Sequence, residues 1–292
     1  MIPQLKNSSS TLKWSRYCLE LEARTLVMGV LNITPDSFYD GGRYHKSDDA
    51  VAQAHRMAEE GADIIDIGGE STRPYSRPLS VEEELERVLP VIETLSREID
   101  LPISIDTYKS EIALRALEAG AAMVNDISAM RFDPAMGKIV AAAGVPIVLM
   151  HMKGTPQNMQ VNPTYEDLLG DIMEFLHGAA EKAISMGITR DLIIIDPGIG
   201  FGKSFDDNLV LLRELWKFSS LGHPVLVGTS NKSFIGHVLG LPVESRDTGT
   251  MATIAVAVMN GAHIIRAHNV KAAKETVTII DAIRSGASAP LP

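Results

Sequence analysis

Eight short apolar runs, rich in β-branched residues, alternate along the chain with longer stretches of helical spacing. Short runs of this kind are typical of buried strands, and strands that alternate with helices pair in parallel. The runs lie at residues 26–31, 63–67, 103–105, 123–124, 147–149, 192–195, 225–227 and 264–265. Eight such units can close on themselves, so we predict an α/β fold, a single (β/α)₈ TIM barrel. An open, doubly wound sheet is the alternative.

Local signals support the same division into units. Ser80 and Glu83 have the spacing of a capping box and predict a helix start there. Glycine ends a helix readily because it tolerates positive φ. Glycines stand at six expected returns from helix to strand, namely Gly61, Gly120, Gly144, Gly187, Gly222 and Gly261.

The length of 292 residues, 45% of them hydrophobic, suits one barrel domain, since such barrels have about 250 residues. We predict that residues 26–286 form the barrel. Residues 1–25 are predicted to be a short N-terminal extension that covers the barrel bottom or forms a hairpin.

Charge and cysteine content narrow the function class. The net charge of −10 argues against nucleic acid or an anionic membrane as a partner. No apolar stretch reaches the roughly 18 residues of a membrane span. Cys18 is the only cysteine, so no intrachain disulfide can form and a cytoplasmic location is predicted.

Polar residues follow the apolar runs at once, and strand ends are where barrel enzymes keep their active sites. Eight segments would aim these groups into one mouth, although any one of them could simply cap a helix. The residues are Asn32, Asp66, Glu70, Asp106, Asn125, Asp126, His151, Asp196, Ser230, Arg266 and His268.

Three of these residues, Asp106, Asn125 and Asp196, match one ligand chemistry. Carboxylate and amide groups can accept from and donate to the edge of an amino-pyrimidinone ring. The alternative is that each caps a helix or forms a structural salt bridge. Arg266 and His268 alternate on one strand and could both meet one phosphate group.

Two loops admit two interpretations each. Residues 28–42 could form a mobile lid or an ordinary connection. Arg73 could neutralise a substrate anion or pair with Glu70.

Residues 196–204 resemble a phosphate-binding loop but lack its spacing, because Pro197 replaces the first glycine. Their glycines would instead let the backbone approach a ligand, with Phe201 covering a flat ring. A helix is predicted to start after the seventh run, near Ser230, Lys232 and Ser233. Backbone amides, hydroxyls and an ammonium at such a helix start can bind an anion or a polarised carbonyl oxygen.

Metal-binding motifs of the zinc and EF-hand types are absent from the sequence. Mg²⁺ is compatible with the sequence, since it needs only one or two protein oxygens beside a substrate pyrophosphate.

Seven ordered segments together resemble the dihydropteroate synthase family. They are MGVLNITPDSFYDGG, GGESTRP, SIDTYK, VNDI, LMHMKGTPQNMQ, DPGIGFGK and GTSNKSFIG. The resemblance implies condensation of 6-hydroxymethyl-dihydropterin pyrophosphate with p-aminobenzoate, Mg²⁺ as cofactor and a homodimer.

The resemblance also implies roles for individual residues. Catalytic residues would be Asp106, Lys232, Asp40 and Arg73, and Asn32 would be a Mg²⁺ ligand. Arg266 and His268 would bind pyrophosphate. The pterin would contact Asp106, Asn125, Met150, Asp196, Phe201 and Lys232, and p-aminobenzoate would contact Thr72, Arg73, Pro74 and Ser233.

Three residues depart from the family pattern. Tyr75 stands in place of Gly, Asn231 in place of Arg, and Asn269 in place of Asp. They are expected to affect the second loop, the charge near the anionic substrates and the orientation of His268. A pterin-binding homologue without synthase activity and a methyltetrahydrofolate-dependent methyltransferase are the alternative functions.

Overall fold

The computed structural model describes residues 11–33, 43–71 and 78–286. Its eight-stranded sheet contains all eight predicted strands, and all but one of them run one or two residues further at the C-terminal end than predicted, because the strand backbone continues past the apolar run. The strands are β3 (Leu26–Asn32), β4 (Ile64–Gly68), β5 (Ile103–Asp106), β6 (Met123–Asp126), β7 (Ile147–Met150), β8 (Ile193–Asp196), β9 (Leu226–Val227) and β10 (Ile264–Ala267).

The sheet closes into a barrel. Its strand order is β8-β7-β6-β5-β4-β3-β10-β9, and the pairs within it are parallel. The ring closes where Ile195 of β8 forms a parallel bridge with Val225, just before β9. The amide of Ile195 donates to the carbonyl of Pro224 at 2.9 Å. Closure confirms the (β/α)₈ barrel and excludes the open doubly wound sheet.

Helices connect the strands and surround the barrel. They are α1 (Arg43–Glu59), α2 (Val81–Glu98), α3 (Ser110–Glu118), α4 (Met136–Ala143), α5 (Leu168–Ser185), α6 (Phe205–Arg213), α7 (Ser233–Leu239), α8 (Asp247–Met259) and α9 (Val270–Ser285). Ser80 and Glu83 form the predicted capping box, and the six predicted return glycines all have positive φ. No helix in the described part of the chain is long and apolar enough to span a membrane.

The barrel core explains why the strands are largely apolar on both faces. Ile64, Ile65 and Ile67 of β4 are fully buried, because a parallel strand is covered on one face by the barrel interior and on the other by helices. The polar residues at the C-terminal strand ends therefore stand on a rigid, close-packed frame.

An antiparallel hairpin precedes the barrel. Its strands are β1 (Thr11–Trp14) and β2 (Tyr17–Glu20). The indole of buried Trp14 donates to the carbonyl of Ala122 at 2.7 Å, and Ala122 lies just before β6. The hairpin therefore packs at the N-terminal side of the barrel, opposite the polar strand ends. The division of the chain after residue 25 stays a prediction.

Replacement of Gly120 by alanine is expected to destabilise the fold. Gly120 has φ +113°, and an added Cβ would lie 2.5 Å from the Cβ of Ser96. Strained backbone of this kind costs about 1–3 kcal/mol. Urea unfolding of Gly120→Ala should show a lower midpoint than the wild type.

The matched control is Gly178→Ala. Gly178 lies within α5, and no atom would crowd its added Cβ. Alanine is favoured in a helix by about 0.5–1 kcal/mol, so this variant should unfold at a higher urea concentration. An equal midpoint for the two variants would contradict the backbone assignment at Gly120.

Candidate active site

Polar side chains from most of the strands form a ring at the C-terminal mouth of the barrel. Asn32, Asp106 and Asp196 each end a strand, while Lys232 and Ser233 begin α7 after β9. Parallel strands of a closed barrel end on the same side, so these groups converge. Neighbouring strands add Asp66, Asn125, Arg266 and His268.

Arg266 links two carboxylates across the mouth. Its Nε donates to Asp66 Oδ2 at 2.6 Å, and its Nη2 donates to Asp106 Oδ2 at 2.7 Å. Burial acts to lower the pKa of Arg266, but Asp66 and Asp106 outweigh it and hold that pKa above its usual value. The Arg266 side chain is 22% exposed, and its Nη1 has no hydrogen-bond partner among the described residues. It can therefore still bind a ligand.

Asp66 received no role from sequence reasoning, yet it joins two of the predicted site residues. Its Oδ2 accepts from Asn125 Nδ2 at 3.0 Å as well as from Arg266. The side chain is fully buried, and Oδ1 has no partner among the described residues. The available signal was an acidic residue inside an otherwise apolar strand, since burial of a lone charge is costly.

The two carboxylates predicted to face the ring system are both buried and hard to ionise. Burial raises the pKa of Asp106 to about 7, with Arg266 opposing the shift and Asp66 adding to it. Burial raises the pKa of Asp196 to about 6, opposed chiefly by the backbone N–H of Gly198. Both groups therefore titrate near neutral pH.

The glycine loop after β8 lies against the end of β7. Gly198 has φ +70°, and an added Cβ would meet the carbonyl oxygen of His151. The amide of Gly198 donates to Asp196 Oδ1 at 2.7 Å, which leaves Oδ2 of that carboxylate for another partner. Gly198 therefore allows two segments of the protein to approach closely, and the approach to a ligand stays a prediction.

Lys232, Phe201 and Met150 lie beside Asp196. Lys232 Nζ is 4.1 Å from the centre of the Phe201 ring. Burial and the charge of Arg266 lower the pKa of Lys232 to about 8. Met150 is buried in a small apolar cluster with Met152 and Met159, against which Phe201 packs. A cation and a flat apolar surface therefore border the carboxylates.

Lys203 is a second residue that sequence reasoning left without a role. It is 2% exposed, and its ammonium contacts His151 Nδ1 at 2.9 Å and donates to the carbonyl of Phe201 at 3.0 Å. Burial lowers the pKa of Lys203 to about 7, and burial with Lys203 lowers that of His151 to about 2. Lys203 thus joins the glycine loop to the end of β7.

His268 contacts Ser230 and Asn32 at the edge of the mouth. Its Nδ1 lies 2.9 Å from Ser230 Oγ, and its Nε2 lies 3.5 Å from Asn32 Nδ2. Sequence reasoning placed Ser230 beside a helix start suited to an anion, but it did not predict the contact with His268. The short contact of Ser230 with the imidazole makes it a further group that orients His268.

Two of the three departures from the family pattern have local explanations. Asn269 caps α9 by accepting from the amide of Ala272, and it donates to Asp247. Asn231 has φ +58°, a conformation that asparagine tolerates better than most residues. The backbone N–H of Asn231 donates to Thr250 Oγ1 at 3.1 Å.

Four predicted site residues, Asp40, Thr72, Arg73 and Pro74, lie outside the described residues, as does Tyr75. Glu70, the alternative partner of Arg73, accepts from Lys109 Nζ at 2.6 Å and from Tyr108 at 2.7 Å.

The donor set of the mouth suits a hydrated cation better than a caged one. Among the described residues no three His, Cys, Asp or Glu side chains cluster as metal ligands. Asn32 offers one amide oxygen beside His268. Mg²⁺ keeps most of its waters and often uses one or two protein oxygens with substrate phosphates, so Asn32 fits a Mg²⁺ brought with a pyrophosphate.

Comparisons with known proteins identify the family of the chain. Residues 28–268 match the model of a family described as pterin binding enzyme. The chain is 46% identical over 265 residues to the dihydropteroate synthase of Bacillus subtilis, covering 91% of this chain and 90% of that one.

Solved structures give the same result. The dihydropteroate synthase of Xanthomonas albilineans with 4-aminobenzoic acid has a TM-score of 0.89 and 43% identity, covering 95% of this chain and 99% of that one. The same enzyme in complex with 7,8-dihydropteroate has a TM-score of 0.85 and 42% identity, covering 94% and 99%. The chain therefore belongs to the dihydropteroate synthase family of pterin-binding enzymes.

Proposed function

We propose that this chain condenses 6-hydroxymethyl-7,8-dihydropterin pyrophosphate with p-aminobenzoate, giving 7,8-dihydropteroate and pyrophosphate for folate synthesis. The observation that carries the proposal is a pair of buried carboxylates with one oxygen each bound inside the protein. Arg266 holds Asp106 Oδ2, and Gly198 holds Asp196 Oδ1. The other oxygens can accept from the ring N–H and amino groups of a pterin.

The pterin pocket would be completed by four further residues. Asn125 presents an amide that can both donate and accept. Lys232, which lies near Asp196 and Arg266, would donate to a ring oxygen or nitrogen. Met150 and Phe201 supply apolar surface for the faces of a flat heterocycle.

The pyrophosphate would bind at the edge of the mouth. Arg266 Nη1 and the imidazole of His268 are the nearest cationic or donor groups there, and paired N–H donors suit phosphate oxygens. Asn32 would supply one oxygen to Mg²⁺, which when bound would neutralise charge on the leaving group.

In the reaction, the amine nitrogen of p-aminobenzoate forms a bond to the pterin methylene carbon. The bond between that carbon and the pyrophosphate oxygen breaks, and pyrophosphate leaves with the electron pair. The amine then loses a proton. Asp106 would stabilise the positive charge that develops on the pterin, and its buried setting strengthens that effect.

The p-aminobenzoate would bind beside the mouth, near the start of α7. Ser233, exposed at the start of α7, would contact its carboxylate. Thr72, Arg73 and Pro74 would complete the subsite, and Arg73 and Asp40 would assist catalysis. These roles rest on the family resemblance.

Pyrophosphate release tests the proposed reaction directly. The purified protein would be given the pterin pyrophosphate and Mg²⁺, with and without p-aminobenzoate. Release that depends on the amine, together with dihydropteroate formation, supports the synthase. Pterin binding without turnover would instead support the binding homologue. The high identity to dihydropteroate synthases leaves no observation that favours the methyltransferase.

We further propose that the enzyme is a cytoplasmic homodimer, in which Cys18 would stay reduced. Exposed apolar side chains concentrate on the helices that follow β8. Among the described residues all the large exposed apolar side chains except Leu114 and Val161 lie between residues 205 and 283, including Leu209, Val238, Leu239, Val256, Ile279 and Ile283. Exposed apolar side chains on neighbouring helices suit self-association.

The pH dependence of kcat/KM for the pterin substrate should be bell-shaped. Asp106 and Asp196 have pKa values raised to about 7 and about 6, so their ionised forms are lost as pH falls through those values. Lys232, with its pKa lowered to about 8, loses its ammonium as pH rises. Since kcat/KM reports groups of the free enzyme, the optimum should lie between 7 and 8. A profile flat across these values would contradict the assignment.

Asp196→Asn should weaken pterin binding by on the order of 10- to 100-fold, as for loss of a hydrogen bond to a charged group. The new amide would place a donor opposite the ring N–H groups. Calorimetry with a pterin measures the change. Asp206→Asn, an exposed aspartate of α6, is the control and should bind normally. Equal affinity of both variants would refute the role of Asp196.

Leu209→Lys combined with Val238→Lys should shift the protein from dimer to monomer. Both side chains are exposed, on α6 and α7, which pack together, and a buried lysine without a partner is costly at an interface. Analytical ultracentrifugation measures the mass. Leu114→Lys, on α3, should leave the assembly unchanged. A double variant that stays dimeric would exclude this surface.

A further inference from the structure

Asp66 accepts hydrogen bonds from two predicted site residues, Arg266 and Asn125, and so links them. One oxygen, Oδ2, accepts from Arg266 Nε at 2.6 Å and from Asn125 Nδ2 at 3.0 Å. The side chain is fully buried within β4, whose neighbouring residues Ile65 and Ile67 are apolar and buried. A carboxylate in such a strand is costly to keep, so a role beyond packing is expected.

Arg266 has a choice of partners in the mouth. A guanidinium can pair with both oxygens of one carboxylate through two parallel N–H bonds. In this structure it instead divides its bonds, with Nε on Asp66 and Nη2 on Asp106. Asp106 Oδ1 consequently has no partner among the described residues.

We propose that Asp66 is a positioning residue that holds Arg266 away from Asp106 Oδ1 and fixes the amide of Asn125, so that both groups are ready for the pterin. The inference rests on the proposed function. Without the Asp66 carboxylate, Arg266 would turn to pair with both oxygens of Asp106. The oxygen that a pterin N–H needs would then be occupied, and Asn125 would lose the bond that sets its orientation.

The test is calorimetric binding of 6-hydroxymethylpterin, which lacks the pyrophosphate, measured as a function of pH. Asp66→Asn should weaken binding on the order of 10-fold or more, as for loss of hydrogen bonds to a charged group. The negative charge of Asp66 also raises the pKa of Asp106. The acid limb of the binding curve should therefore move to lower pH in this variant.

The groups that act on Asp106 come from several elements, and only Asp66 is substituted in the variant. They are Asp66 on β4, Glu84 on α2, Asp126 on β6, Lys232 before α7 and Arg266 on β10. A loss of affinity with the acid limb unmoved would indicate a structural role alone and would overturn the proposal.

Asp63→Asn is the matched control. Asp63 lies just before the other end of the same strand, is also buried, and pairs with Arg24 at 2.5 Å. Its loss should lower stability while leaving pterin affinity and the acid limb as in the wild type. If Asp63→Asn shifts the limb as Asp66→Asn does, a general effect of destabilisation explains both and the proposal falls.

A double variant keeps the test decisive should Asp66→Asn fold poorly. Asp66→Asn with Arg266→Met removes both partners of the buried pair, which proteins tolerate better than loss of one. Because Asp66 acts largely through Arg266, the double variant should bind the pterin about as weakly as Arg266→Met alone. A full additive loss would overturn the proposal.

The proposed function and the role of Asp66 are tested separately. Wild-type protein that binds the pterin but releases no pyrophosphate with p-aminobenzoate would contradict the proposed function, while the binding curves still decide the role of Asp66.

Discussion

The arrangement of the mouth depends on one buried cation held between two carboxylates. Arg266 on β10 bridges Asp66 on β4 and Asp106 on β5, and so connects strands that lie on both sides of β3 in the barrel. In a site of low dielectric these ion pairs are strong, and each charge would be costly without the other. Asp106 keeps one buried oxygen without a partner among the described residues, and its pKa lies near neutrality.

Around this bridge the barrel provides a rigid frame, and the glycine-containing loop at residues 196–204 packs closely against the end of β7. The bridge between Ile195 and Val225 closes the ring, so the ends of β3 and β8 belong to one frame. Gly198 lets the loop after β8 touch the end of β7, and the ammonium of buried Lys203 joins the same two segments. Asp196 is thereby held near Lys232 and Phe201, which gives a flat ligand both a polar edge and an apolar face.

Much of this could be predicted, because parallel strands and helix returns leave strong local signals. The eight strands and the capping box at Ser80 follow from residue pattern and are confirmed. The contacts that Asp66, Lys203 and Ser230 make within the site were not predicted, for a physical reason. Each of the three acts by contacting a residue 35 or more positions away in the chain, as with Lys203 and His151, 52 positions apart. No local periodicity records such a contact.

The sequence by itself determined the barrel, the side of it that carries the polar groups, and the family, since these depend on apolar periodicity and on ordered motifs. Only the tertiary structure decided how the polar groups share their bonds. It divided Arg266 between Asp66 and Asp106, and it turned Asn269 to cap α9 while Ser230 contacts His268. Hydrogen bonds and pKa shifts depend on distance and burial, and both exist only after the barrel closes.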